Sequence, residues 1–406
     1  MPLDAPTLDA LKDDVCRSVD RMRDDLLRIS RAIHANPELA FQEHEASALL
    51  ADALVQAGLE VTRGAHGLET AFSAEFGPAT RSSPSEGSLC VALLAEYDAL
   101  PEMGHACGHN LIAIAGVGAG LALAALGERL PGRVRVLGTP AEEHGCGKEL
   151  MRRAGALDGV DAALMMHPGS VNLVSMPCIA MAELDICYRG KSAHASAMPE
   201  RGINALDAIV VGYQAVAALR QHISGNERIH GIITEGGEAP NVVPDRTAGR
   251  FYVRAANERE LAPLKQRVEA CFRAGAEATG ATLEVTWGAA DYLDIRFNEP
   301  LASSFRANAE ALGREFFPME RLPPGIQGST DMGNVSQHVP SIHPMLAAAP
   351  IDCPIHNPEF AKWAGSEQGE AAGLDGAKAL AMTALDFLCD AGLQQRARAV
   401  FDAAGS

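Results

Sequence analysis

The sequence lacks an apolar run long enough to cross a membrane. The longest, Leu111 to Leu126, is shorter than the roughly 20 residues of a spanning helix, and Gly116, Gly118 and Gly120 interrupt it. It indicates instead a buried helix packed closely against a sheet. The first thirty residues are charged and lack the apolar core of a signal peptide. Because the 9 cysteines are odd in number and widely scattered, we expect a reducing, cytoplasmic location.

Positive charge is also scarce. Lysine and arginine total 34 residues against 52 aspartates and glutamates, so the formal net charge is -18. Such a field repels polyphosphate backbones and anionic lipid surfaces, and we therefore expect neither nucleic acid nor a membrane as a partner. An anionic small substrate would need a local cationic contact, which draws attention to Arg254.

The chain is too long for one ordinary hydrophobic core. Its 406 residues favour two domains, or one domain that carries a large insertion. An apolar fraction of 47% with 21% charged residues is typical of a packed globular protein and not of a disordered one. No internal repeat is apparent.

The first half of the chain has the pattern of a mainly parallel sheet. Helical spacing covers Leu8 to Ile29 and Glu43 to Ala57, strand-like sequence follows from Val61 to Phe76, and 77–88 indicates a surface hairpin. Three short apolar runs then alternate with helical segments, at 89–95, 134–137 and 162–166. This βαβα order predicts an α/β domain with helices on both faces of the sheet, and ligands bind such sheets beyond the carboxyl ends of the strands.

After Pro177 the rhythm changes to that of a second domain. Its strands are expected at 181–189, 227–234, 247–253 and 282–287, and its helices at 205–219 and 258–278. The order βαββαβ is that of a ferredoxin-like unit. We therefore place an inserted domain at 183–293, between the two parts of a first domain at 1–182 and 294–406.

Cysteine and histidine lie two residues apart after the first of the three short strands. The strand at 89–95 runs into Glu96-Tyr-Asp98 and then into Cys107-Gly-His109. Thiolate and imidazole are preferred ligands of transition metals, and carboxylates stand just upstream. A single Cys-x-His pair is a weak pattern, so a buried cysteine beside a satisfied histidine explains this segment alone equally well.

Two adjacent carboxylates follow the second strand, in the segment Pro140-Ala-Glu142-Glu143. Neighbouring carboxylates repel each other unless a cation neutralises at least one of them. One glutamate can then bind metal, while its neighbour, directed the other way by the alternating backbone, takes a proton from the attacking water. Without further context, a solvated surface pair is the commoner interpretation of two adjacent glutamates.

Two more histidines come from separate places in the chain. His167 follows the third apolar strand, and His356 lies in a proline-rich loop near the C-terminus. A lone histidine in either place is more often a core residue than a ligand. The predicted topology, however, can bring these segments together, and the candidate ligands are then Cys107, His109, Glu143, His167 and His356.

Seven short segments occur in order over nearly the whole chain: AEYDALP, HACGHN, PAEEHG, MMHP, SAHAS, NVVPD and IHNPEF. With these segments the chain resembles the aminoacylase and carboxypeptidase family of dinuclear metallopeptidases. It is most similar to the branch of amidohydrolases that use a cysteine ligand. That branch is related to auxin-amino-acid conjugate hydrolases, and the chain also resembles p-aminobenzoyl-glutamate hydrolase subunits and the animal β-alanyl-lysine dipeptidase.

The resemblance implies a role for each candidate residue. The five ligands would hold two divalent metal ions, most simply zinc or manganese, with Cys107 shared between the ions. Glu142 would be the general base, and Asp98 would orient a ligand histidine.

The resemblance also implies roles for residues outside this ligand set. His194 would reach the active site of a partner subunit and stabilise the tetrahedral oxyanion, so the enzyme would be a homodimer at least. Asn241 and Arg254 would contact the substrate carboxylate, and Ser329 would be a further substrate contact. Without the family context, an exposed histidine, a turn asparagine and an exposed arginine are the commoner interpretations.

Glu96 and Asn110 depart from the family pattern, because many members have aspartate at both positions. Together with the later segment Gly328-Ser-Thr-Asp331, they place the chain nearer to the p-aminobenzoyl-glutamate hydrolases and the β-alanyl-lysine dipeptidase. Asn110 cannot supply the charge of an aspartate, so the identity of the ions stays open.

The expected activity is hydrolysis of the amide bond of an N-acyl amino acid or dipeptide with a free carboxylate, in a site that closure of the inserted domain completes. Three alternatives stay open: a p-aminobenzoyl-glutamate-type hydrolase, a thiol hydrolase using Cys107 with His105 or His109, and a non-catalytic metal-binding scaffold. A thiol enzyme should be indifferent to chelators, whereas the presence of both Glu142 and Glu143 disfavours a scaffold.

Overall fold

The computed structural model describes residues 5–78, 88–323 and 325–404. Its strands are β1 Val61–Arg63, β2 Phe72–Phe76, β3 Cys90–Ala95, β4 Arg133–Gly138, β5 Ala162–Leu164, β6 His167–Gly169, β7 Ala180–Arg189, β8 Arg228–Glu235, β9 Arg246–Ala255, β10 Thr282–Trp287, β11 Ser341–Ile342 and β12 Met345–Ala347. Its α-helices are α1 Ala5–Arg21, α2 Arg23–Ala35, α3 His44–Gln56, α4 His109–Ala124, α5 Gly147–Arg153, α6 Ala205–Leu219, α7 Glu258–Thr279, α8 Glu299–Ala311, α9 Met332–Ser336, α10 Pro358–Ala364, α11 Glu367–Cys389 and α12 Ala391–Ala404.

The chain divides into two compact units. The first comprises Met1–Pro177 and Ile295–Ser406, and the second comprises Cys178–Asp294. A six-stranded sheet with the order β1-β2-β4-β3-β5-β11 forms the centre of the first unit. The pairs β4–β3, β3–β5 and β5–β11 are parallel, while β1–β2 and β2–β4 are antiparallel. The predicted mainly parallel sheet is therefore confirmed.

Strand β3 is buried on both of its faces, which explains its continuous apolar sequence. Val91, Leu93 and Ala95 pack into one hydrophobic cluster together with residues of α1, α4 and α11. Cys90, Ala92 and Leu94 face a second cluster that includes residues of α5 and α9. Helices thus cover both faces, as the βαβα order predicts.

The second unit has the predicted order βαββαβ. Its antiparallel sheet runs β10-β7-β9-β8, so the first and third strands of the unit are the central pair. One face packs against α6 and α7 through a core that contains Tyr188, Phe251 and Phe272. The ferredoxin-like fold is confirmed for this unit.

One local expectation differs from the structure. The helical pattern from Leu8 to Ile29 is divided into α1 and α2 at Met22, where the chain leaves one helix and enters the next. The hairpin expected at 77–88 falls largely on 79–87, which lie outside the described residues.

Within 5–78, 88–323 and 325–404, no helix has both the length and the apolar character that crossing a membrane requires.

Candidate metal centre

The carboxyl ends of neighbouring parallel strands bring the predicted site residues together. Ala95, the last residue of β3, is paired with Gly138, the last residue of β4, and β5 lies on the other side of β3. The segments that follow these strands therefore meet at one edge of the sheet. They carry Asp98, Glu142 and Glu143, and the short strand β6 that follows β5 begins at His167.

Two groups of potential metal ligands share Cys107. One consists of Cys107, His109 and His167, the other of Cys107, Glu143 and His356, and the ligand atoms within each group lie within 4.8 Å of one another. The Cys107 Sγ is 3.3 Å from the Nε2 of His167 and 3.3 Å from the Nε2 of His356. The structure thus assembles all five predicted ligands, with the cysteine between two groups.

Each buried histidine is held so that its Nε2 points at the centre. The Nδ1 of His109 is 2.8 Å from Asp98 Oδ1, and the Nδ1 of His167 is 2.6 Å from the carbonyl oxygen of Pro168. A nitrogen that donates to such an acceptor carries the proton, so in the neutral ring the lone pair lies on Nε2. Asp98 also accepts a hydrogen bond of 2.9 Å from the backbone N–H of Glu143, and it therefore positions two ligand segments at once.

Unusual backbone conformations occur at three points of the centre. Gly108, between two ligands, has φ 81°, and an added Cβ would lie 2.6 Å from the side chain of Pro168. Ala141, directly before the glutamate pair, has φ 61°, and His356 has φ 64°. Left-handed conformations at non-glycine residues cost free energy and persist where surrounding contacts impose them. At Ala141 the contact is a 2.9 Å hydrogen bond from its N–H to the buried Glu43 carboxylate.

Burial sets the protonation of the central groups. Burial, and then the charges of Glu96 and Glu143, raise the pKa of Glu142 well above its usual range. Burial lowers the pKa of His167 to about 4, so this imidazole is neutral near pH 7, the form that binds metal. Burial, followed by the charge of Glu143, raises the pKa of the Cys107 thiol. A divalent cation would favour the thiolate and the glutamates in their charged forms.

The donor set fits a metal ion. His109 Nε2 and Glu143 Oε1 are buried and have no hydrogen-bond partner among the described residues. Burying such polar atoms without a partner is costly. Ligand atoms bound to one tetrahedral ion are separated by about 3.3–3.8 Å, which follows from ligand distances of about 2.0–2.3 Å. The 3.4 Å between His356 Nε2 and Glu143 Oε1 falls in this range.

Two of the predicted residues of the second unit lie on adjacent segments. The backbone N–H of Ala195 donates to the carbonyl oxygen of Asn241 at 3.0 Å, and His194 forms a bridge with Val242. The exposed His194 accepts hydrogen bonds at Nδ1 from the N–H groups of Ser196 and Ala197, at 3.4 and 3.3 Å. With Nδ1 as the acceptor, the proton of the neutral ring is on Nε2, which is then a donor towards solvent.

Arg254 and Ser329 lie in different units. The Nε of Arg254 donates to His230 Nε2 at 3.2 Å, and its guanidinium carbon is 5.9 Å from the centre of the Tyr252 ring. Burial lowers the pKa of Arg254. Ser329 is half-buried in the loop before α9. Their roles stay predictions.

The sequence analysis missed several buried polar residues of the first unit. Lys148 lies behind the centre, paired with Glu96 and Asp331. The ring of His343 is 5.3 Å from that of His167, and both of its nitrogens are buried without a hydrogen-bond partner among the described residues. A lysine on a short helix and a histidine after a two-residue strand carry no sequence signal of burial.

Known proteins are similar to this chain in sequence. The profile of Peptidase family M20/M25/M40 matches residues 92–386. The Xaa-Arg dipeptidase of Mus musculus is 41% identical over 98% of this chain and 93% of its own length. A p-aminobenzoyl-glutamate hydrolase of Escherichia coli has a chain that is 28% identical, over 90% of this chain and 90% of its own length.

A solved structure from Bacillus subtilis, described as a dinuclear metal binding peptidase, has the same fold. Its TM-score is 0.65 at 22% identity, and the match covers 91% of this chain and 99% of that one. The resemblance predicted from the seven sequence segments is thus confirmed, and so is the expectation of a hydrolase that acts on amide bonds. The chain belongs to Peptidase family M20/M25/M40.

Proposed function

We propose that this chain is a dinuclear metal-dependent amidohydrolase that cleaves the amide bond of a dipeptide or N-acyl amino acid with a free carboxylate. The observation that carries the proposal is the pair of ligand groups that share Cys107, with the buried Glu142 beside His109 of the first group. Glu142 Oε2 is 3.9 Å from His109 Nε2, near enough to serve a water held at the ligand set.

Two divalent ions, zinc or manganese, are the proposed cofactors. Cys107, His109 and His167 would hold one ion, and Cys107, Glu143 and His356 the other. When bound, the ions would increase the acidity of a water molecule and polarise the scissile carbonyl. A mixed set of thiolate, imidazole and carboxylate ligands suits zinc, while its carboxylate also suits manganese.

The protein's own residues would move the proton. Glu142 would take a proton from the attacking water and deliver it to the leaving amine. Asp98 would keep His109 in the tautomer that presents Nε2, and would hold the backbone of Glu143 in place.

The proposed substrate contacts rest on the family resemblance and on local geometry. His194 Nε2, with its proton directed away from the ring's own hydrogen bonds, would donate to the developing oxyanion in the active site of a partner subunit. Asn241 and Arg254 would bind the substrate carboxylate, because a planar guanidinium matches its geometry. Ser329 is proposed as a further contact.

A homodimer in the cytoplasm is the proposed biological form, with residues 183–293 as the lid and dimerisation domain. If His194 is shared between the two protomers, mixing His194→Ala with Glu142→Ala should restore activity, since each mixed dimer then contains one complete site. At most about half of the active sites in the mixed dimers can be intact. Mixing each variant with itself is the control, and no recovery in confirmed mixed dimers would contradict sharing.

The relatives suggest where to look for the substrate. One is a dipeptidase for Xaa-Arg peptides, and another acts on p-aminobenzoyl-glutamate, which is the alternative substrate for this chain. We expect the metal-supplemented protein to hydrolyse at least one member of a panel of dipeptides ending in basic residues, N-acyl amino acids and p-aminobenzoyl-glutamate. Release of the free amino acid is measured with Glu142→Ala as the blank. Complete inactivity of the metal-loaded protein would favour a scaffold.

A further inference from the structure

Glu96 is a fully buried carboxylate that bridges a lysine and the ligand set. Its Oε1 is 2.5 Å from Lys148 Nζ, and its Oε2 is 3.5 Å from His109 Nε2. Neither Oε2 nor this Nε2 has a hydrogen-bond partner among the described residues. Such a pair of atoms either forms a direct ion pair, when His109 is protonated, or is bridged by a group that contacts both.

The separation of these atoms is that of two ligands on one ion. About 3.3–3.8 Å is expected between tetrahedral ligand atoms at about 2.0–2.3 Å from the ion. The 3.5 Å between Glu96 Oε2 and His109 Nε2 falls within this range. One oxygen each from Glu96 and Glu142 and one nitrogen from His109 form a separate group within 4.8 Å, which shares His109 with the group of Cys107, His109 and His167.

Lys148 fixes the direction of the Glu96 carboxylate. The ammonium lies 2.6 Å from Asp331 Oδ1, and the backbone N–H of Lys148 donates to Asp331 Oδ2 at 2.8 Å. Asp331 therefore holds the lysine at two points. Because Oε1 of Glu96 is paired with this immobile ammonium, Oε2 is left to face His109.

Lys148 alone does not balance the carboxylates around it. Glu96 and Asp331 contribute two negative charges, and Lys148 supplies one positive charge, all three with side chains at most 1% exposed. One negative charge is left buried beside Glu142 and Glu143. Buried charges are stable only when they are paired or bound to metal.

We propose that Glu96 is an additional ligand of the ion held by Cys107, His109 and His167, and that the Lys148–Asp331 pair is its positioning device. The inference rests on the proposed two-ion centre. It adds an oxygen ligand to a cysteine and two histidines, and it gives a reason for a lysine to be buried behind a metal centre.

The test measures zinc affinity of the full-length protein after chelation and dialysis, by competition with a chromophoric chelator. The wild-type chain should take up two ions. Glu96→Gln keeps the side-chain volume but removes the charge. We expect this variant to lower the affinity of the protein for one of the two ions about 10–100-fold, while the affinity for the other ion changes little. Lys148→Met should lower the affinity for the same ion. Glu149→Gln is the matched control, because this buried carboxylate pairs with Arg152 and Arg153 instead.

Ligand variants identify which ion is affected. In His356→Ala only the ion held by Cys107, His109 and His167 should bind tightly. Adding Glu96→Gln to this variant should lower the affinity for that ion. In His167→Ala the remaining ion is the one held by Glu143 and His356. Adding Glu96→Gln to this variant should change the affinity for that ion by no more than about threefold. Melting temperatures of the metal-free variants report whether the fold is intact.

The outcomes separate this inference from the proposed function. A folded wild-type chain that takes up no ion would contradict the two-ion centre itself. Two ions in the wild type with unchanged affinities in Glu96→Gln would overturn the ligand role of Glu96 alone. An equal loss of affinity for both ions would also overturn the ligand role, because Glu96 would then act only as the counter-ion of Lys148. If Glu96→Gln does not fold, Glu96→Asp gives the same test, since it keeps the charge and withdraws the oxygen by one methylene.

Discussion

Replacing Glu142 with glutamine is expected to lower kcat by about 10²–10⁴-fold, the usual contribution of a general base. Glutamine keeps the size of the side chain but has no basic oxygen to accept the proton of the attacking water. The ligand groups around Cys107 do not include Glu142, so the uptake of two ions should persist. KM should change little, because the proton transfer affects the transition state and not the binding of substrate.

The control for this variant is again Glu149→Gln, which removes a buried carboxylate whose ion pairs are with Arg152 and Arg153. It should retain wild-type kcat. Steady-state rates on the best substrate of the panel, together with metal analysis of each preparation, make the comparison. A fully metal-loaded Glu142→Gln with wild-type kcat would exclude Glu142 as the base.

Chelation of the bound metal is expected to abolish hydrolysis, whereas a thiol-alkylating reagent should act slowly on the metal-loaded enzyme. The Cys107 side chain is buried, and burial followed by the Glu143 charge raises the pKa of its thiol. Catalytic cysteine nucleophiles instead have a lowered pKa and an accessible sulfur. A thiol hydrolase would show the opposite pattern, with rapid inactivation by alkylation and no response to chelators.

His105, one proposed partner for a nucleophilic Cys107, is not placed for that role. Its ring is stacked on His34 at a centroid distance of 6.2 Å, and both of its nitrogens are buried without a hydrogen-bond partner among the described residues. Burial lowers its pKa to about 3, which makes it a poor base. The other candidate, His109, is committed to Asp98 through Nδ1. These contacts favour the metal enzyme over the thiol enzyme.

The fold followed from periodicity because burial acts on whole faces of an element. Strand β3 is apolar at every position and is covered on both sides, while β7 alternates and packs one face against helices. Such patterns predict the type of element and its order in the chain. The division of the first helical region at Met22 has no comparable signal, since helical spacing continues across it.

The ligand set could be predicted because each ligand follows a strand or stands in a recognisable motif. The supporting residues could not. Lys148 and Asp331 are 183 positions apart, and only the assembled fold shows that an ammonium is buried between Asp331 and Glu96. Similarly, the contact from Ala141 to Glu43 joins segments 98 positions apart and imposes a left-handed backbone that local sequence preferences would not predict.

The most direct test of a two-ion amidohydrolase is the activity of the chelated, metal-free protein as zinc or manganese is added back in measured equivalents. Hydrolysis should be absent at the start, should rise with added metal and should reach its plateau at two equivalents per chain, because each ligand group holds one ion. Full activity in the metal-free protein, with no response to added metal, would contradict the account.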